Sequence, residues 1–238
     1  QYFYDLTLSG TGTVEMYGCT IANDFDVGAD VIFRPITPTQ AFVVSGTATM
    51  NGFFGKDGYP QTTATDNTFG AIDIPAGGTY YATSGTTKLY GKTGVTYTQT
   101  GTFTHNDGLF WVSGGSQQMK WGDTLHGPFY DLKSSGVGNE MRGKALKIEN
   151  SFIITDGYVV PSYNGGTGKV WTLGTASSSA YISGTASDPL WVHDSNPPYH
   201  FVIQASSSLF PAELKGYEWK WSGYGTAQSI KFSDVNCE

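Results

Sequence analysis

The stretches "QYFYDLTLSG" (residues 1–10) and "PFYDLKSSG" (residues 128–136) repeat each other within one chain. The match continues for about thirty residues with small length changes: Glu15-Met16 lies over Glu140-Met141, and Phe25 lies over Phe152. A β-sandwich has no reason to repeat such a block, whereas a solenoid consists of stacked copies of one structural unit. The repeat therefore favours a solenoid over the alternative all-β folds, a β-sandwich or a jelly roll. We expect the two segments to be equivalent strands of separate coils in one parallel sheet, with Leu6 and Leu132 inward.

The composition of the 238 residues indicates strands and turns. Gly accounts for 32 residues, aromatics reach 15% and charged residues only 14%. Short runs rich in β-branched and aromatic residues alternate with turn residues at intervals of about 8–12 positions, which is the all-β signature. No convincing helix is predicted; "GKALKIEN" (143–150) reads equally well as a strand with Leu146 and Ile148 on one side.

The segment before the second copy, "GTFTHNDGLFWVSGGSQQMKWGDTLHG" (101–127), resembles the degenerate repeats of right-handed parallel β-helix proteins of bacterial surfaces and phage-associated fibres. "WTLGTASSSAYISGTASDPLWV" (171–192) is similar to another phrase of such proteins. The resemblance covers roughly two thirds of the chain and is poor in 36–100 and 210–238. It implies a right-handed parallel β-helix and is weak evidence for any activity. Because nothing like "GTFTHNDG" precedes Gln1, we expect the chain to begin inside a longer solenoid or at a processing site.

Alternation predicts which side chains face the interior of the coils. In "FYDLTL" the face carrying Tyr4, Leu6 and Leu8 is expected inside, because Asp5 on the other face cannot be buried cheaply in a dry core. The same rule predicts further core residues: Phe25, Val27, Ile32, Phe103, Phe110, Leu132, Phe152, Ile154, Val159 and Ile182. We expect coils over 1–209 and a C-terminal cap or accessory strands over 210–238.

The charge pattern argues against two classes of partner. The formal net charge is −7 and only two of the thirteen basic residues are Arg. Nucleic-acid binding proteins normally carry a basic stripe, and none is visible, so we expect no nucleic-acid partner. No run of eighteen apolar residues exists, so we expect no membrane insertion.

Few residues suggest metal or catalytic chemistry. Asp24, Asp26 and Asp30 in "NDFDVGAD" offer the oxygen ligands that Ca²⁺ prefers, although EF-hand spacing is absent and a solvated face is the simpler interpretation. His105 in "THND" is read as a hydrogen-bonded turn residue rather than a catalytic one. No other cofactor is indicated, and we expect no enzyme, with a polysaccharide hydrolase or lyase as a remote alternative.

Aromatic residues and cysteines carry the remaining predictions. Tyr217, Trp219 and Trp221 alternate on one face of a strand, which is either core or an interface that could stack on a glycan. Cys19 and Cys237 could form a staple within one chain, a head-to-tail link between subunits, or no disulfide.

Together these patterns predict a non-enzymatic structural module of an extracellular or virion-exposed fibre, sheath or surface coat that associates with itself. A module that recognises a surface glycan or a receptor is the alternative.

Overall fold

The computed structural model describes residues 1–36, 41–55, 65–121, 126–142, 145–160, 169–173, 181–183, 190–194, 199–205, 212–215, 219–223, 228–233 and 235–237, and it describes side chains within 1–36, 41–55, 65–119, 127–136, 139 and 146–153. These residues contain strands and no helix. The strands are β1 Tyr2–Phe3, β2 Leu6–Leu8, β3 Gly12–Met16, β4 Thr20–Ile21, β5 Phe25–Val27, β6 Val31–Pro35, β7 Val43–Met50, β8 Phe53–Phe54, β9 Asn67–Ile74, β10 Thr79–Tyr81, β11 Thr86–Leu89, β12 Gly94–Gln99, β13 Thr102–Thr104, β14 Leu109–Val112, β15 Gln117–Trp121, β16 His126–Arg142, β17 Ala145–Val160, β18 Lys169–Leu173, β19 Tyr181–Ser183, β20 Leu190–Asp194, β21 Tyr199–Ala205, β22 Ala212–Lys215, β23 Trp219–Gly223, β24 Gln228–Ser233 and β25 Val235–Cys237.

The described strands pair in parallel, each with the equivalent strand one coil away, so the chain is a parallel β-solenoid. Each coil has three faces. The first face begins with β1 and β4, the second with β2 and β5, and the third with β3 and β6. The long strands β7 and β9 run from the first face into the second, and β16 and β17 run through all three faces. The first two faces therefore form one sheet throughout, and the third face joins this sheet from β16 onward, whereas β3, β6, β8, β10 and β13 form a separate sheet. One coil takes 18 residues from Tyr2 to Thr20 and 32 from Tyr181 to Glu213. The all-β solenoid expectation is confirmed.

The two "FYDL" segments lie on different faces of this solenoid. The ladder that starts at Leu6 passes through Phe25 and reaches Met141, whereas Leu132 lies on the ladder of Phe110 and Phe152. The whole repeat is displaced by one face, because 126 residues do not correspond to a whole number of coils. Both segments belong to the same 20-stranded sheet, as expected, but they are not stacked above each other.

The two copies of the repeat nevertheless form the same local structure, an Asp–Asn hydrogen bond between adjacent coils at a corner. Asp5 Oδ1 accepts a hydrogen bond from Asn23 Nδ2 at 2.9 Å, 18 residues later. Asp131 Oδ1 accepts from Asn150 Nδ2 at 2.7 Å, 19 residues later. The repeated sequence thus encodes a strand, its corner and its bond to the next coil. Such a unit can be used on any face.

Aromatic rings fill the interior. On the third face Phe33, Phe54, Tyr80 and Phe103 are stacked in register, and their ring centroids lie 5.1–5.6 Å apart in tilted or edge-to-face contact. Such contacts add to the free energy gained by removing the rings from water. The core predictions confirmed by burial are Phe25, Val27, Phe103, Phe110, Leu132 and Phe152. Leu146 and Ile148, expected on one side of a strand, lie in β17 and are both buried.

Two core predictions are wrong because the alternation of inward and outward side chains was misjudged. For Tyr4 it was counted across a corner, and for Ile32 it was counted in the wrong phase. Tyr4 is 70% exposed because the chain bends there, which separates β1 from β2 and breaks the period of two. Ile32 is 36% exposed because its neighbours Val31 and Phe33 point inward. Leu6 and Leu8 pack against the core as predicted, being half-buried in the first coil. The side chains of Ile154, Val159 and Ile182 lie outside the described residues.

The backbone pairing continues beyond residue 210. Strands β22 to β25 pair in parallel with the preceding coil, as the earlier strands do. Strand pairing therefore does not change at the boundary expected at 209/210, and the role of 210–238 as a cap stays a prediction.

Candidate functional site

The three carboxylates considered for Ca²⁺ lie at different places on the second coil and its corners. Asp24 Oδ1 accepts the Thr47 N–H at 2.7 Å, and Asp26 Oδ1 accepts Asn51 Nδ2 at 2.9 Å. Asp30 lies exposed in the turn before β6. Within the described residues no group of three or more metal-ligating side chains is brought together. In this structure the Asp24 and Asp26 carboxylates accept hydrogen bonds from the next coil, and Ca²⁺ binding stays a prediction.

His105 lies in a turn, and both of its ring nitrogens have partners. The Asp107 N–H donates to Nδ1 at 2.9 Å, so Nε2 carries the proton and donates to Glu149 Oε2 at 3.1 Å. The ring also stacks on Tyr130 at 5.7 Å. Because neither nitrogen is available to a substrate, this geometry matches the expected hydrogen-bonded turn residue.

The predicted aromatic face of 217–221 is described only by its backbone. Tyr217 lies outside the described residues. Trp219 and Trp221 lie in β23, in register with Leu190 and Val192 of the preceding coil. Their role in an interface or in glycan binding stays a prediction.

Cys19 is a buried free thiol, and burial raises its pKa. Val43 N donates to its carbonyl, which places Cys19 on the first face directly before Thr20, and its buried side chain faces the interior. The backbone register of this position continues through Leu132 and Leu214 to Cys237. The nine steps between the two cysteines, at about 4.8 Å each, separate them by roughly 43 Å. This distance argues against the staple and leaves the other two alternatives open.

The structural feature that offers a site is the first coil, residues 1–16, which we call the first-coil edge because its strands have partners among the described residues on one side only. These strands, β1, β2 and β3, pair with the second coil. Leu6 N donates to Asp24 O at 3.1 Å, and Leu8 O accepts from Gly28 N at 2.9 Å. Because N–H and C=O groups alternate in direction along a strand, Thr7 directs both of its groups toward the open side.

The same reasoning applies to the third face of this coil. Gly12 N donates to Asp30 O at 3.1 Å, and Met16 O accepts from Ile36 N at 2.8 Å. Thr13 therefore directs its backbone groups toward the open side, as Thr7 does. The sequence analysis did not identify Thr7 and Thr13 as edge residues, because only the hydrogen-bond register of the strands distinguishes them from their neighbours.

The interior of the first coil is also incompletely covered. Five inward apolar side chains pack against the core on one side and stay half-buried: Phe3, Leu6, Leu8, Val14 and Met16. Four of the five equivalent positions of the next coil are fully buried, namely Ile21, Phe25, Val27 and Phe33, and the fifth, Pro35, is half-buried. Another coil placed on this edge would complete the burial.

The first-coil edge lacks the usual protection against strand addition. Natural edges carry Lys, Pro or bulges, and residues 1–16 contain no Lys, Arg or Pro. Their two acidic residues are already bound to the second coil: Asp5 by Asn23 and by the Asp24 N–H, and Glu15 by Arg34 at 3.8 Å. The edge can therefore accept a parallel strand without first breaking an interaction.

None of the described residues forms a helix long and apolar enough to cross a membrane. Comparison with protein-family models, with curated proteins and with solved structures found no match.

Proposed function

We propose that this chain is a non-enzymatic structural module of an extended β-solenoid, in which the first-coil edge pairs with the last coil of a second copy. The observation that carries the proposal is the combination at that edge of free backbone groups, half-buried apolar side chains and no protective charge. A fibre, sheath or surface coat outside the cell or on a virion is the setting that the resemblance to repetitive surface β-helices suggests.

The energetic argument rests on area and hydrogen bonds. A further coil would bury the five half-buried apolar side chains, at about 25 cal/mol per Å² of apolar surface removed from water. It would also provide hydrogen-bond partners for backbone N–H and C=O groups that now face solvent, including those of Thr7 and Thr13. Because the added strands would be parallel, each new copy would present another free first-coil edge, and association would propagate along one axis.

Edge-blocking variants test this proposal. Proline has no N–H to donate and is tolerated on edge strands, so Thr7→Pro with Thr13→Pro removes two edge donors without altering a bond to the second coil. We expect sedimentation velocity to show concentration-dependent association of the wild-type chain, and association at least about tenfold weaker for the proline variant. Electron microscopy of the wild-type assemblies is expected to show filaments.

The matched control is Thr7→Ala with Thr13→Ala, which changes the same exposed side chains and keeps both N–H groups. It is expected to associate like the wild type. A wild-type chain that stays monomeric at all accessible concentrations would overturn the proposal, as would proline and alanine variants with equal association.

A further inference from the structure

Two lysine ammonium groups on the outer surface of the first face have no carboxylate partner among the described side chains. Among the described side chains, Arg34 pairs with Glu15 at 3.8 Å and Lys147 pairs with Glu149 at 2.9 Å. Lys88 and Lys133 form no ion pair with any described residue. In a chain with a formal net charge of −7, two unpaired cations on one face are an unusual local excess of positive charge.

The two lysines are held in line by a tryptophan between them. Lys88 pairs in register with Trp111, which pairs with Lys133 in the next coil. The Lys88 ammonium lies 4.5 Å from the indole centroid and the Lys133 ammonium 5.0 Å from it. We call these three residues the lysine–tryptophan row. Cation–π attraction to both faces of the indole holds the charges in place before any ligand arrives.

The surroundings of the row leave its charge available. Trp111 Nε1 donates to Ser135 Oγ at 2.7 Å, which fixes the indole. Asp131, two residues before Lys133 on the same strand, already accepts hydrogen bonds from Asn150 and Ser151. Tyr90 lies beside Lys88, with 5.1 Å between the ammonium and the ring centroid, and is 58% exposed. The row and its neighbours Ser135 and Tyr90 thus combine cations, hydroxyls and an exposed aromatic ring.

We propose that the lysine–tryptophan row binds a linear anionic polysaccharide that runs along the solenoid axis. The two ammonium groups lie two coils apart, roughly 9–10 Å. A glycan with one carboxylate or sulfate every one or two sugar rings suits such sparse cations, and the apolar face of a sugar can stack on the Tyr90 ring. A nucleic-acid strand carries a charge about every 3.4 Å, so most of its phosphates would face this acidic chain without a cation.

The test measures binding of the full chain to immobilised polygalacturonate, which is carboxylated, and to heparin, which is sulfated. We expect the wild type to bind at least one of them, and the one that binds identifies the anion. Lys88→Gln with Lys133→Gln is expected to weaken that binding about tenfold, the size expected for losing two exposed charge contacts. Lys88→Arg with Lys133→Arg, which keeps both charges, should retain most of the affinity.

The matched control is Lys92→Gln with Lys147→Gln, which removes the same net charge away from the row and should bind within about twofold of wild type. Denaturant midpoints for each variant separate loss of binding from loss of folding. The proposal would be overturned by no binding of either polymer by the wild type, by equal losses in both double glutamine variants, or by equally tight, row-dependent binding of single-stranded oligothymidylate. Binding of neutral dextran with wild-type strength would also contradict it.

Discussion

At the scale of single residues, a carboxylate in one coil that is bonded to the next coil is the recurring interaction. Asp5 and Asp131 have this role in the two copies of the repeat, and Asp24 and Asp26 have it in the second coil. Charged residues make up only 14% of this chain. Several of the acidic ones hold one coil on another through hydrogen bonds.

Because some side chains face the core and others face solvent, truncating them to alanine is expected to lower the free energy of unfolding by unequal amounts. Leu132 is fully buried, so Leu132→Ala is expected to lower the free energy of unfolding by about 2–5 kcal/mol. Thr7 is exposed on the outer side of β2, so Thr7→Ala should change it by less than about 0.5 kcal/mol. Denaturant titration of both variants checks the order, and losses of equal size would contradict the assignment.

Buried phenols predict a loss of stability at high pH. Burial raises the pKa of Tyr80 to about 12, and burial followed by the charge of Tyr80 raises the pKa of Tyr97 well above 10. Because these pKa values are higher in the folded chain than in the unfolded chain, the two phenols contribute stability that is fully present below about pH 10, the unfolded-state pKa. It is lost as the pH rises from about 10 to 12, because the unfolded chain releases these protons first.

Unfolding followed between pH 9 and 12 by the absorbance of ionised tyrosine checks this prediction. Tyr80→Phe keeps the ring in the core and removes its hydroxyl, so its stability should fall less steeply over the same interval. A variant with the same alkaline decline as the wild type would show that Tyr80 is not the group responsible.

At the scale of strands and corners, glycine is required where two coils approach closely. A Cβ added to Gly78 would lie 1.8 Å from the Met50 carbonyl oxygen of the preceding coil, and backbone cannot easily move away. Gly78→Ala is therefore expected to cost about 2 kcal/mol or more of unfolding free energy.

Thermal or denaturant unfolding measures this cost. Gly77→Ala is the matched control in the same turn, where φ is +89° and no atom lies within 4 Å of the added Cβ. It should cost about 1 kcal/mol from backbone strain alone. If Gly77→Ala proves the more damaging substitution, the close approach of coils at Gly78 is not the controlling factor.

The sequence was sufficient for the class of fold and for many inward positions, because strand alternation and an internal repeat have a direct physical cause. It failed at Tyr4, where a corner interrupts the alternation, and at Ile32, where the phase was misjudged. It also misplaced the repeat by one face, because coils of unequal length leave the register undetermined. Lys88, Trp111 and Lys133 are 23 and 22 residues apart, so a known coil length would have revealed the lysine–tryptophan row.

At the scale of the whole molecule, the continuous ladders constrain the two cysteines. Tyr2 pairs with Thr20, so Gln1 lies opposite Cys19. If a second copy stacks in register after β25, its Gln1 follows Cys237 and its Cys19 lies two steps away, roughly 9–10 Å. A disulfide needs Cα atoms within about 7 Å. We therefore expect both thiols to stay unpaired, even in assembled protein.

A non-reducing gel and thiol titration test this expectation. One monomer band that does not shift with reductant, two thiols titrated after unfolding and slow reaction of Cys19 in the native state are expected, since Cys19 is buried and its pKa is raised. A ladder of multimers that collapses on reduction would support the head-to-tail link instead. A monomer that migrates faster before reduction would support the staple.

Residue-resolved hydrogen exchange of the first coil, measured at low and at high protein concentration, tests the central claim most directly. The Leu6 and Gly12 amides donate to Asp24 O and Asp30 O within one chain, so they should be protected at both concentrations. The Thr7 and Thr13 amides should exchange rapidly in the monomer and become protected as the chains associate. Association that leaves the Thr7 and Thr13 amides unprotected would contradict strand addition at the first-coil edge.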